Sequence, residues 1–185
     1  MTFNQSDWII VMTRTHQAPP PSHATPEDQQ RLWERIASLR VAMLTTSDGE
    51  GSLAGRPVTT LRAAPDGTLW FFVARDGGIA HDLQRNARVH VCVMDVGEDV
   101  YVWLRGHAQI VDDVDKVKEL WSVLAGAWFP GGPEDPNLAL LKVTADRGDY
   151  WDVKSSKLVQ FFSMATAAIT HTPPRETGKH KQFTN

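Results

Sequence analysis

Thr68-Leu69-Trp70-Phe71-Phe72-Val73-Ala74, followed by Arg75-Asp76-Gly77-Gly78, is the stretch on which the fold turns. A strand that covers a core with one face alternates apolar and polar residues. Here Leu69, Phe71 and Val73 are matched on the opposite face by Trp70 and Phe72. A run apolar on both faces describes a strand buried on two sides, as in a closed or nearly closed barrel. Pro65-Asp66-Gly67 before it and Asp76-Gly77-Gly78 after it are turn chemistry, which makes antiparallel hairpins the natural connection.

Strand-type runs continue outward from this one. Residues 41 to 46 and 52 to 63 precede it, parted by Ser47-Asp48-Gly49, and residues 88 to 95 and 100 to 111 follow it. Runs 138 to 145 and 148 to 153 read as two more strands, and 157 to 168 as either a short helix or a last strand. In 100 to 111, Val102, Leu104, Ala108 and Ile110 share one face, and Tyr101, Trp103, Arg105, His107 and Gln109 share the other. Aromatics mixed with arginine are enriched at protein interfaces, so that second face is expected to meet a second copy of the chain. The alternative is cover from the helix at 112 to 128 or from the N-terminal arm.

Helical spacing occurs twice. Thr25-Pro26-Glu27-Asp28 supplies an N-cap, a first-turn proline and acids ahead of Leu32, Trp33, Ile36 and Leu39. Val114, Val117, Leu120, Trp121, Leu124 and Trp128 line one face of a helix over 112 to 128, which Pro130-Gly131-Gly132-Pro133 ends. Trp121 and Trp128 are thereby expected in the core. The expected organisation is an N-terminal extension over 1–24 with Pro19-Pro20-Pro21, one domain over 25–172, and a polar tail over 173–185. The fold class is mainly β with peripheral helices.

The 185 residues carry 19 basic and 22 acidic side chains, a net charge of -3, so no positive field exists to collect nucleic acid. No stretch reaches the roughly 20 apolar residues of a membrane span, and no signal-peptide core is present. With the single Cys92 unable to form an internal disulfide, a cytoplasmic protein without nucleic-acid or membrane partners is expected. His81, His90 and His107 lack the paired helical spacing of a zinc hydrolase, and no metal site is expected. Serine-elbow, Walker and dinucleotide fingerprints are absent. Asp112, Asp113 and Asp115 suit the start of a helix by its dipole.

The clearest chemistry lies where 68 to 74 meets the helix that Asp76-Gly77-Gly78 opens. Successive backbone N–H groups there favour an anion, and Arg56, with Pro57, Thr59 and Thr60 beyond it, sits on a strand expected to be its neighbour. These groups suit a phosphorylated cofactor. Equally, Gly77-Gly78 could simply end a strand and Arg56 solvate an edge.

Gly55-Arg56-Pro57-Val58-Thr59, Gly67 to Phe72, Asn86-Ala87-Arg88-Val89, Ala127-Trp128-Phe129-Pro130-Gly131-Gly132 and Tyr150-Trp151-Asp152, in that order, resemble the general stress protein 26 branch of the pyridoxamine 5'-phosphate oxidase-like flavoproteins. The resemblance covers residues 27 to 185. It implies an FMN-binding split β-barrel, assembled as a homodimer with flavin at the subunit interface. By that resemblance Arg56 meets the flavin phosphate, the backbone of Pro57, Val58 and Thr59 runs along the isoalloxazine ring, and the 71 to 74 strand, with Phe72, Val73 and Ala74, lies beneath ribityl and phosphate, Gly77, Gly78 and Ile79 being the further cofactor-binding positions. Trp103 and Trp151 complete the pocket from the partner subunit. Where the superfamily commonly has Thr, Ser and Lys, this chain has Val73, Gly77 and Ile79, so its phosphate clamp lacks two hydroxyls and a cation.

Two functions follow as alternatives. One is an FMN-dependent oxidoreductase acting on an unknown small molecule, with no residue marked as acid or base. The other is a non-catalytic flavin- or ligand-binding stress-response protein with a degenerate clamp. Pyridoxine 5'-phosphate oxidase activity is not expected, because after Trp151 the chain reads Asp152-Val153-Lys154-Ser155-Ser156-Lys157 without the Arg-x-His segment that holds substrate in those oxidases.

Overall fold

The computed structural model describes residues 22–23, 25–98, 100–152 and 179–184. The strands are β1 (Ser22–His23), β2 (Val41–Ser47), β3 (Leu53–Ala63), β4 (Thr68–Ala74), β5 (Arg88–Asp95), β6 (Val100–Val111), β7 (Leu138–Asp152) and β8 (Lys179–Thr184). The helices are α1 (Pro26–Ser38), α2 (Gly78–Leu83) and α3 (Val114–Leu120), with single 3-10 turns at Ala125–Ala127 and Gly132–Glu134. Neighbouring strands run in the order β7-β4-β3-β2-β5-β6, and β6 pairs back onto β7 to close a six-stranded barrel.

The long strand β7 explains why the barrel is split. Its first half pairs with β4, from Ala74↔Leu138 to Thr68↔Thr144, and its second half leaves β4 for β8, from Arg147↔Thr184 to Asp152↔Lys179. From Leu140 onward its other edge stays on β6. The sequence expectation of two strands, 138 to 145 and 148 to 153, is corrected to this one. Asp146-Arg147-Gly148 resembles a turn but forms a bulge, with Gly106 opposite Ala145 and Arg105 opposite Arg147. Gly106 permits the bulge because a Cβ there would lie 2.0 Å from the Thr144 carbonyl oxygen.

Alternation along β2, β4, β5, β6 and β7 fills the interior, with Leu44, Leu69, Phe71, Val91, Leu104 and Leu141 each no more than 1% exposed. Helix α1 adds Leu32, Trp33 and Ile36 to this core. Its start is fixed by a capping box: the Thr25 hydroxyl accepts from the Asp28 N–H at 3.2 Å, and Asp28 accepts from the Thr25 N–H at 3.0 Å.

The second apolar face of β4 is covered as its sequence requires. Trp70 and Phe72 join Leu61, Val117, Leu120 and Phe129 in a smaller core under α3. The expected helix over 112 to 128 is shorter. Trp121 and Phe129 both reach the Phe72 ring, at 5.8 and 6.5 Å between centroids. The chain leaves the helix after Leu120, where Trp121 turns extended at φ -61° and ψ 140°. Trp121 packs as expected, but Trp128 is 81% exposed, with Leu124 and Val123 exposed beside it. The expectation of a core Trp128 is thereby corrected.

Strands β1 and β8 were not legible in the pattern. Lys179-His180-Lys181 is too charged to read as a strand, yet β8 pairs with β7 on one side and with the two-residue edge strand β1 on the other. The undecided run 157 to 168 lies outside the described residues. On β3, the Thr60 hydroxyl is buried with no hydrogen-bond partner. Thr60→Val keeps the shape and removes the orphaned group, and is expected to raise stability by about 1 kcal/mol in thermal unfolding. A lowered Tm would show that the hydroxyl is bonded.

Candidate functional site

Strand β3 turns alternate residues inward and outward, and Arg56 falls on the inward side at the end of the barrel that α2 crosses. Its guanidinium Nη1 donates to Thr46 Oγ1 at 2.8 Å and to Asp82 Oδ2 at 3.0 Å, and the Thr46 hydroxyl donates to the same Asp82 oxygen. Thr46 on β2 and Asp82 on α2 are both buried, whereas the Arg56 side chain keeps 34% of its surface. The Thr46 hydroxyl and then Arg56 hold the Asp82 carboxyl below its ordinary pKa, against the opposing effect of burial.

The sign of that shift sets a pH dependence. A lowered folded-state pKa stabilises the protein above the ordinary carboxylate range, and the contribution is lost as the pH falls through the lowered value. The stability gap between the wild type and Asp82→Asn is therefore expected to be largest near neutral pH and to close on acidification. Urea unfolding at several pH values measures it, and a gap that widens in acid would reverse the assignment.

The other arm of Arg56 lies across the start of α2. A Cβ on Gly78 would sit 2.6 Å from Arg56 Nη2 and 3.1 Å from Cζ, so only glycine leaves room for the guanidinium there. Gly77 gives no side-chain cap, and the first bond of this turn is His81 N–H to the Gly77 carbonyl at 3.1 Å. The amides of Gly78, Ile79 and Ala80 thus precede any acceptor in the helix. The Gly77 amide, one of the two expected to meet an anion, is instead taken by the Ala74 carbonyl at 3.0 Å.

The remaining candidates separate into two places. Val73 and Ile79 are buried in the main core, and Val58 is 9% exposed beside them, so these three offer a ligand backbone only. Phe72 belongs to the smaller core under α3, and Ala74 ends β4 on the same outward face. Pro57 and Thr59 point outward on β3 and are exposed. From Pro57, paired residues run across the outer face through Met43 on β2 and Cys92 on β5 to Trp103 on β6. Three strand spacings place Trp103 about 14 Å from Pro57, and its ring lies 5.1 Å from that of His90. Trp151 pairs with Tyr101 further along this face. Within one chain, then, Arg56, Gly77 and Gly78 come together, and Trp103 and Trp151 do not join them.

Thr46 and Asp82 are site residues that the sequence pattern does not mark. The available signal was positional: Asp82 lies three residues after buried Ile79 in a short helix, so it shares the inward face and needs a cation. Thr46 carried no signal, since a threonine in a strand is ordinary. Among the described residues no group of three or more His, Cys, Asp or Glu could hold a metal ion, and no helix is long and apolar enough to cross a membrane.

A closed six-stranded barrel with one strand shared between two edges, and an arginine laid over Gly78 at its end, defines a split-barrel protein. The chain belongs to the pyridoxamine 5'-phosphate oxidase-like family, whose model matches residues 27–175, and within it to the branch of the general stress proteins. It is 33% identical to the general stress FMN/FAD binding protein from Xanthomonas citri, covering 71% of this chain and 93% of that one with a TM-score of 0.63. A putative general stress protein 26 from Jannaschia sp. CCS1 is 26% identical, covering 87% and 100%, with a TM-score of 0.65. Protein bli-3 of Neurospora crassa is 24% identical over 148 residues, 75% of this chain and 71% of the fungal protein.

Proposed function

We propose that this protein is a cytoplasmic, homodimeric flavoprotein that binds FMN and acts as an oxidoreductase on a small molecule. The observation that carries the reading is the Arg56 guanidinium over Gly78, beside three amides with no helical acceptor. The fit to a phosphate is good in two respects: a cation with one arm turned to the helix start, and a glycine pair that lets backbone approach it. It is spare in a third, because Ile79 is buried where a second cation would stand. The bound flavin supplies the redox chemistry. The chain's own part is to hold the phosphate end through Arg56 and Gly78 and to bring the outward backbone from Pro57 to Thr59 alongside the ring.

A second copy of the chain is the proposed cover of the outer face. Val41 at 63% exposure, Met43, Met94 and Tyr101 leave a broad apolar and aromatic surface open in the single chain, with half-buried Trp103 between them. A two-fold axis there would give the row from Pro57 to Trp103 a partner and set Trp103 and Trp151 of one protomer against the Arg56 region of the other.

A non-catalytic flavin- or ligand-binding role is favoured by one observation, that Arg56 shares its charge with Asp82. Turnover of reduced nicotinamide by the FMN-loaded protein separates the two readings. Sustained turnover above free flavin supports the oxidoreductase, and binding without turnover supports the other. No pyridoxal phosphate is expected from pyridoxine 5'-phosphate in either case. Gly78→Ala is expected to push the guanidinium aside and weaken FMN about tenfold while leaving riboflavin unchanged, since one charge-assisted bond contributes about 1.5–3 kcal/mol. Flavin fluorescence titration measures this, and unaltered FMN affinity would remove Arg56 from the phosphate site.

A further inference from the structure

Arg56 is bound to a counter-ion before any ligand arrives. Its Nη1 is held by the Asp82 carboxylate and the Thr46 hydroxyl, and its Nη2 lies over Gly78. Buried polar side chains are few among the described residues, and two of them, Thr46 at 1% and Asp82 at 7% exposure, stand on this one guanidinium. A carboxylate so buried is costly without a partner, and one so close to the cation cancels much of its outward field. Tying α2 to β2 and β3 would require only a neutral hydrogen-bonding pair. The ion pair instead fixes the plane and the charge of the side chain that faces the helix start.

We propose that Asp82 is the positioning residue of the phosphate clamp and its counter-charge, fixing the Arg56 guanidinium across Gly78 while offsetting its attraction for the phosphate. The inference rests on the reading that Arg56 meets the phosphate of a flavin. Carboxylate and phosphate lie on opposite arms of one guanidinium, so Asp82 repels the ligand's charged end without touching it. Its lowered pKa keeps it ionised at neutral pH. The clamp then selects the phosphate by the geometry of one fixed arm, with weaker dependence on net charge than a lone arginine would show.

The test is the ratio of FMN to riboflavin affinity, titrated by flavin fluorescence on the full chain at neutral pH. Asp82→Asn keeps an oxygen for Nη1 and removes the charge, so the ratio is expected to rise about tenfold, equal to about 1.4 kcal/mol, with riboflavin affinity unchanged. A purely structural Asp82 would leave the ratio where it is or weaken both flavins alike. If Asp82→Asn does not fold, Arg56→Gln gives the complementary measurement. It leaves the carboxylate without its cation, and riboflavin should then bind more tightly than FMN. Asp82→Glu, which restores charge at a longer reach, should return the ratio towards the wild-type value. An unchanged or lowered ratio in Asp82→Asn, or an Arg56→Gln ratio still favouring FMN, overturns the proposal while the flavin site stands. Binding of neither flavin by the wild type and Asp82→Asn alike overturns both the site and the proposal.

Discussion

Replacing Gly106 by alanine is expected to lower the thermal unfolding temperature by about 6–12 °C, or to prevent folding. The added Cβ would lie 2.0 Å from the Thr144 carbonyl oxygen and 2.8 Å from its carbon, and these are backbone atoms held in the pairing of β6 with β7. No side-chain rotation relieves such a contact, so one of the two strands must shift. Overpacking in a core costs typically up to about 3 kcal/mol, and each kcal/mol moves the midpoint of a domain of this size by about 2–4 °C. The site also carries the bulge that lets β7 pass from β4 to β8, so the strain falls on the closure of the barrel. A Tm within 2 °C of the wild type would mean that the bulge is not held as described.

Trp103→Asp is expected to convert the proposed dimer to a monomer near 20.6 kDa and to abolish flavin binding in the same variant. Trp103 lies at the end of the row from Pro57 through Met43 and Cys92, on the face for which a second copy is the proposed cover. An unpaired carboxylate desolvated in the middle of a packed interface costs several kcal/mol, enough to raise a dimer dissociation constant by more than about a hundredfold. Each single chain stays folded, because the side chain points away from the barrel core, where Val102 and Leu104 are buried. Sedimentation of the flavin-free wild type and variant is the measurement. A wild-type monomer at micromolar concentration, or a variant that stays dimeric, would exclude this face as the interface.

How far the sequence carried the structure can be argued from single elements. Strand β4 was legible end to end because its two apolar faces and its flanking turns agree, and α1 because cap, proline and period agree. The break expected within β7 shows the opposite case. Asp146-Arg147-Gly148 has the composition of a turn, and only the missing Cβ of Gly106 on the facing strand decides that it is a bulge. Helix α3 ends at Leu120, short of the span that the helical spacing of Trp121 and Trp128 predicts. The extended turn at Trp121 and the contacts of Phe72 with Trp121 and Phe129 that accompany it are tertiary. At the site, Arg56 and the glycine pair could be found from local chemistry. Asp82 could not, since its role appears only when α2 is laid over β2 and β3 and the inward side of a six-residue helix is known.

Titration of the purified wild-type protein with FMN and with riboflavin, at neutral pH and physiological salt, tests the account most directly. The two ligands differ in the phosphate alone, and so they isolate the part of the site proposed for Arg56 and Gly78. The structure predicts that FMN binds about tenfold more tightly, the lower end of what one charge-assisted contact contributes when its charge is shared. Equal affinities, or the absence of binding for both, would contradict it.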